Sequence, residues 1–194
     1  NLEKNSEVII PAMTYCSTAF SVINANLKPV LVDTEPFKPT IDASKIKKKI
    51  TSKTKVIMPV HLYGSAANLN AIKKIIKKNS IFLIDDCAQA HGTIDDSNTT
   101  YNKKIGSTAD ISCFSLYPGK NLGAYGDAGI ITTNNKKFYN MIKSLRNLGS
   151  TKKFIHDHIG VNSRLDTVQA IILNKKLKYL KKLNLKRRKI ANLY

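Results

Sequence analysis

Acidic residues are scarce in this chain: 13 Asp and Glu stand against 32 Lys and Arg, a formal net charge of +19 over 194 residues. Cysteine is scarce as well. Cys16, Cys87 and Cys113 are far apart and odd in number, and no CxxC occurs. This argues against a disulfide framework or a zinc ribbon and fits a reducing cytoplasm. His156 and His158 have no Cys neighbour, so no metal site is expected. No apolar run reaches the roughly 18 residues of a membrane span. The start, "NLEKNSEVIIPAM", carries no signal-peptide pattern and no initiator Met, and the chain ends inside a helix-like pattern. Both ends are therefore expected to be cuts in a longer protein. There is no internal repeat and no low-complexity linker.

The phosphate-binding motifs are missing too. Gly119-Lys120 is followed by Asn121, and the glycine spacing of GxxxxGK[ST] fails. "GAYGDAG" does not fit GxGxxG. Nucleotide hydrolysis and dinucleotide binding are disfavoured. The positive charge lies in "SKIKKKITSKTK", "KKIIKK" and "KKLKYLKKLNLKRRK". Apolar residues recur there every three or four positions, as in amphipathic helices with lysine on the wet face. Aromatic interleaving of the kind that single-strand nucleic-acid binders use is sparse, so no nucleic-acid partner is expected.

What is present is an alternation of apolar runs and helical patterns. Strands are expected at 7–13, 29–33, 55–63, 81–86, 111–117 and 128–134. Helices are expected near 17–26, 42–50, 67–78 and 136–147, with one long helix from 163 to 191. The strands are near-continuous in Val, Ile, Leu and Phe, which predicts burial on both faces of a mostly parallel sheet. The fold class is α/β, a sheet flanked by helices. The polar stretch 93–110 reads as a surface excursion or small hairpin.

In such sheets ligands gather at the carboxyl ends of the strands. Those ends carry Thr14 and Tyr15, Asp33, His61 and Tyr63, Asp85, Asp86 and Gln89, and Ser115, Tyr117 and Lys120. An acid with a lysine suits pyridoxal 5'-phosphate (PLP). A lysine holds it as a Schiff base, and a carboxylate keeps its ring nitrogen protonated. A hydroxyl and backbone amides take the phosphate, and an aromatic covers the ring.

The blocks "EVIIPAMTYCSTAFSVINANLKPVLVD", "TKVIMPVHLYG", "IFLIDDCAQAHG", "GSTADISCFSLYPGKNLGAYGDAG" and "GVNSRLDTVQAIIL" follow one another in this order. With them the chain resembles the DegT-type (StrS-like) sugar aminotransferases, PLP enzymes of the aspartate aminotransferase fold. The resemblance implies that Lys120 is the catalytic lysine that binds PLP covalently. It implies Asp86 as the partner of the pyridine nitrogen and Gln89 as the group bonding the phenolic oxygen. Tyr15 falls at the ring-stacking position and Ser115 at a phosphate ligand. Asn162 resembles the residue reaching the phosphate in the neighbouring subunit, which implies a homodimer with shared active sites.

By the same resemblance, residues 1–175 form the PLP-binding large domain, incomplete at its start, where a small-residue phosphate loop is absent. Residues 176–194 begin a helix leading to an absent C-terminal small domain. The implied activity is transfer of an amino group from an amino acid, L-glutamate, to a nucleotide-linked keto sugar in amino-sugar biosynthesis. "SLYPGKNLGA" with "HLYG" is most similar to enzymes acting at C3 of the sugar. A branch that dehydrates carries histidine in place of the lysine, and Lys120 argues against it. The competing readings are a catalytically silent scaffold of the same fold and a basic nucleic-acid-binding module.

Overall fold

A six-stranded sheet in the order β2-β1-β3-β4-β5-β6 organises the chain. The strands are β1 (Glu7–Pro11), β2 (Lys28–Val32), β3 (Thr54–Ile57), β4 (Phe82–Asp86), β5 (Ile111–Ser115) and β6 (Gly129–Thr132). The computed structural model describes residues 2–77, 79–95, 97 and 103–194. β1 to β5 are mutually parallel. Around them lie α1 (Cys16–Asn24), α2 (Ala43–Ile46), α3 (Leu69–Ile76), α4 (Lys136–Leu145), α5 (Thr167–Leu177) and α6 (Leu180–Ala191).

The apolar run of β1 is buried along its whole length. Its successive side chains serve two cores, as the period-two pleat requires. Ile9 packs with Ile57, Ile46 of α2, and Leu69 and Ile72 of α3. Val8 and Ile10 pack with Val56 and Val22 of α1. Each buried Ile or Val contributes roughly 1.5–3 kcal/mol by leaving water, so this strand pins helices to both faces of the sheet.

The parallel α/β class expected from the apolar runs is what forms, with three departures. β6 runs antiparallel to β5 and is largely exposed at one sheet edge, and β2 at the other edge is only partly buried, so neither edge strand is buried on both faces. The expected strand 55–63 stops at Ile57. A bridge from Val60 to Asp86 and a 3₁₀ turn at Leu62–Gly64 carry the chain onward. The expected long helix is two helices, broken at Tyr179 (φ −99°, ψ −7°) with no glycine or proline to mark it. The break turns α6 so that Leu180 packs against the Leu173 cluster and Asn184 donates to the His91 carbonyl at 2.7 Å.

A hairpin, β7 (Ser150–Lys152) and β8 (Ile155–His156), was not anticipated. It follows Gly149 at φ 75°, where a Cβ would lie 1.6 Å from the His158 carbonyl oxygen. Only glycine allows that approach. The excursion at 93–110 pairs at its base, through Ile94 with Lys104, and most of its tip lies outside the described residues.

At the start of β1, Glu7 accepts hydrogen bonds from the Thr51 hydroxyl (2.6 Å) and from Lys28 Nζ (3.4 Å). Thr51 foremost, then Lys28, hold this carboxyl below its ordinary value of 4.5, against the opposing effect of burial. The ionised form is therefore favoured in the folded state. Its stabilisation is complete above pH 4.5 and is lost as pH falls through the lowered value. Glu7→Gln is expected to flatten the acid limb of the melting temperature against pH below 4.5. An unchanged limb in that variant would mean that Glu7 does not contribute to acid unfolding.

Candidate active site

Chain order reverses between β1 and β3, the place in an open α/β sheet where a crevice opens at the carboxyl ends. A side-chain chain spans it. Thr18, buried in the first turn of α1, donates its hydroxyl to Asp86 Oδ2 at 2.9 Å. That hydrogen is then spent, so the 2.8 Å contact between Thr14 and Thr18 has Thr14 as donor. The other carboxylate oxygen of Asp86 accepts from the Ala88 N–H at 3.0 Å. Asp86 is thus held at both oxygens at the end of β4, beside Cys113 of β5 in register. Tyr15, the residue before α1, is 72 % exposed, so it is a free aromatic face and not a core side chain.

Gln89 Oε1 accepts from the Tyr63 N–H at 2.6 Å. This fixes the amide so that its NH₂ donor faces away from Tyr63. Tyr63 sits at φ 56°, ψ 18°, in the left-handed region. A non-glycine residue there costs roughly 1–2 kcal/mol, a strain typical of functional turns.

Lys120 lies on a loop fastened from below. Leu116, Leu122 and Ala124 are buried against Leu173 of α5. The Ala124 N–H bonds the Leu116 carbonyl, and the Lys120 N–H bonds the Tyr117 carbonyl. Gly123 passes so close to Pro118 that a Cβ would lie 2.3 Å from its carbonyl oxygen. Among the described residues the Lys120 amine has no hydrogen bond or ion pair. Ser115, at the end of β5, has its hydroxyl 3.4 Å from the Tyr117 N–H, a contact long enough to leave the oxygen available.

Lys120 and Gln89 line a cavity of about 530 Å³ together with Tyr63, His91 and Asn121. Burial lowers the pKa of His91, and the charge of Lys120 acts in the same direction against the Ser115 carbonyl. His91 is therefore held neutral beside the lysine. Of the residues expected at the site, Gln89 and Lys120 share this cavity. Asp86 and Ser115 stand at adjacent strand ends outside its lining, and Tyr15 is tied to Asp86 through Thr18. Asn162 is not brought to this group. It bridges to Asn147 and accepts from Arg164 Nε at 2.9 Å.

Two residues expected on the rim, His61 and Asp85, are instead fully buried, and the group they form with Cys87 was not anticipated. His61, Asp85 and Cys87 are fully buried, with donor atoms within 4.8 Å of one another. His61 Nδ1 accepts from the Ala67 N–H at 3.1 Å. The imidazole proton therefore sits on Nε2, 3.7 Å from Asp85 Oδ2. Burial, with Asp85 and Asp86 adding to it, pushes the Cys87 thiol far up, so it stays protonated. A protonated Nε2 and a thiol are the non-ligating forms. The group reads as packing: among the described residues neither oxygen of Asp85 accepts a hydrogen bond, and His61 Nε2 stays beyond hydrogen-bond distance. Its signal was faint: three residues 24 and two positions apart, with His61 four positions past the end of β3.

The sequence model of the DegT/DnrJ/EryC1/StrS aminotransferase family matches residues 1–194.

The chain belongs to that family.

Other comparisons agree. The chain is 48% identical over 189 residues to dTDP-3-amino-3,6-dideoxy-alpha-D-galactopyranose transaminase of Aneurinibacillus thermoaerophilus, covering 97% of this chain and 50% of the relative. The crystal structure of S. venezuelae DesV with a ketimine intermediate superposes with a TM-score of 0.88 at 35% identity, over 93% of this chain and 47% of that one. NtdA of Bacillus subtilis, crystallised with the cofactor PMP, gives 0.78 at 33% identity, over 92% and 40%. The chain spans about half the length of the curated relatives it matches. As a member of the DegT/DnrJ/EryC1/StrS family it has the α/β aminotransferase fold observed here.

Proposed function

We propose that the intact protein is a PLP-dependent aminotransferase that moves an amino group from L-glutamate to a nucleotide-linked keto sugar, at C3 of the sugar. The observation that carries this is a lysine amine, without hydrogen bond or ion pair among the described residues, that shares a cavity with an oriented amide three residues along the chain from a carboxylate anchored at both oxygens. The donor set fits the cofactor. Asp86 keeps a lone pair on each oxygen for a protonated ring nitrogen, and the Gln89 NH₂ is free to donate to a phenolic oxygen. The exposed ring of Tyr15 offers a stacking face, and the Ser115 hydroxyl a phosphate contact. When bound, PLP supplies an electron sink and carries the amino group between the half-reactions.

Lys120 would hold the cofactor covalently through its amine and, with that amine released, would serve as the base and acid that moves a proton. Asp86 holds the ring-nitrogen proton throughout. Neutral His91 beside Lys120 adds no positive charge of its own to the cavity. Asn162, remote from this cluster, acts on the site of a second copy in a homodimer. The exposed Val168 and Ile171 of α5 fit such a contact. No helix among the described residues is long and apolar enough to cross a membrane. The setting proposed for the intact protein is the cytoplasm, where its three free cysteines would stay reduced.

Purified intact protein incubated with PLP is expected to show visible absorbance from the lysine-bound cofactor. L-glutamate should bleach it and release about one equivalent of 2-oxoglutarate per site. Protein that stays colourless and releases none would overturn the proposal and favour a silent scaffold.

A further inference from the structure

The chain spends lysine freely and arginine sparingly: 28 lysines and four arginines, at 146, 164, 187 and 188. Two of the four are adjacent on α6 and line the Lys120 cavity. The helix residues facing that cavity are Asn184, Arg187, Arg188 and Ala191, the i, i+3, i+4, i+7 stripe of one helix face. The other cations of α6, Lys181, Lys182, Lys186 and Lys189, lie outside the lining. On α6 the face lining the cavity thus carries arginine and the other faces carry lysine, all of them exposed to solvent.

The stripe is also held in place. Asn184 donates to the His91 carbonyl at 2.7 Å, and its side-chain oxygen accepts from Asn121, next to Lys120, at 3.1 Å. α6 is therefore clamped to the lysine loop by the residue one turn before the arginines. α6 has no acidic residue, and neither arginine has an ion-pair partner among the described residues. Two guanidinium groups and the Lys120 amine border one cavity, with no carboxylate among the described residues of its lining. A guanidinium presents a planar fork matched to carboxylate and phosphate oxygens, which an ammonium cannot copy.

We infer that Arg187 and Arg188 form an oxyanion subsite that seats a substrate against Lys120 by its diphosphate or carboxylate oxygens. The identity of the two sources, the nucleotide diphosphate of the sugar and the carboxylates of the amino donor, rests on the aminotransferase reading. The existence of the subsite does not, because binding is measured without turnover.

The test is calorimetric titration of the intact, PLP-treated protein with dTDP, UDP and 2-oxoglutarate, for wild type, Arg187→Ala, Arg188→Ala, the two Arg→Lys variants and Lys182→Ala. Each alanine variant is expected to lose at least about tenfold in affinity for one ligand class. The lysine variants should recover only part of it. Loss confined to dTDP and UDP assigns the diphosphate, and loss confined to 2-oxoglutarate assigns the donor carboxylates. Lys182→Ala should stay within about twofold, as a solvated surface cation does.

Wild-type affinities in both alanine variants, or an equal loss in Lys182→Ala, would overturn the inference. So would loss of bound PLP in the arginine variants, which would make them cofactor-phosphate ligands. Matched melting temperatures across the variants separate a binding effect from a folding one. A protein that fails to take up PLP but still loses anion affinity with the arginines would refute the aminotransferase reading and leave the subsite standing.

Discussion

Lys120→Ala is expected to lower the turnover number for amino transfer by at least about 10³-fold. The methyl group left behind has neither the amine that binds the cofactor nor the base that moves the proton. The protein should still fold, because Lys120 makes no side-chain hydrogen bond or ion pair among the described residues, and the loop is held by Leu116, Leu122 and Ala124. Its melting temperature should therefore stay near wild type while the visible absorbance disappears. Borohydride reduction of the wild type followed by peptide mapping should place the label on Lys120. A label on another lysine, or an alanine variant that releases 2-oxoglutarate at the wild-type rate, would refute the assignment. Lys120→Arg sharpens the test. It keeps the charge beside His91 but remains protonated and cannot bind the cofactor covalently. It should be as inactive as the alanine variant.

The parallel part of the fold was legible because the apolar runs of β1, β3 and β4 send Val8, Ile9, Ile10, Val56, Ile57 and Leu83 into the two cores, and β1 is buried along its whole length. β6 uses the same alphabet, "AGIITTN", at an exposed edge, and composition does not report strand direction. The break between α5 and α6 was not legible, since no local signal marks Tyr179. It is imposed by Leu180 and Asn184 finding partners in Leu173 and His91. Around Lys120 the local string reads as a solvated loop, and the likeness of the surrounding blocks to a family singled the lysine out. The structure adds causes that a string does not contain. The Tyr63 N–H orients Gln89, the Thr14–Thr18 pair orients Asp86, and the break at Tyr179 brings Arg187 and Arg188 to the cavity. Those contacts join residues 26 and 68 positions apart, beyond the reach of any periodicity.

Asp86→Asn is the second large effect, an expected loss of about 10²–10⁴ in the turnover number. The substitution keeps shape and removes charge. The amide oxygen can still accept from the Ala88 N–H. The NH₂ group takes the place of Oδ2 and must donate to the Thr18 oxygen, so the Thr18 hydroxyl has to turn its hydrogen elsewhere. Thr14 is the nearby acceptor, and the 2.8 Å contact between the two hydroxyls permits the reversal. The fold should therefore absorb the change at small cost, about 1 kcal/mol for one weakened hydrogen bond. What is not absorbed is the missing anion. A neutral amide does not keep a pyridinium protonated, and each pKa unit by which the ring nitrogen falls corresponds to about 1.4 kcal/mol. The visible absorbance should persist in Asp86→Asn, because Lys120 is intact, while the half-reaction with L-glutamate slows. Colour with lost rate separates this variant from Lys120→Ala, which loses both. Asp86→Glu retains the charge but pushes it one methylene beyond the place that Thr18 and Ala88 define, and should fall between the two. A half-reaction in Asp86→Asn within threefold of wild type would show that the carboxylate anchored by Thr18 is structural, and that the ring nitrogen finds its partner elsewhere.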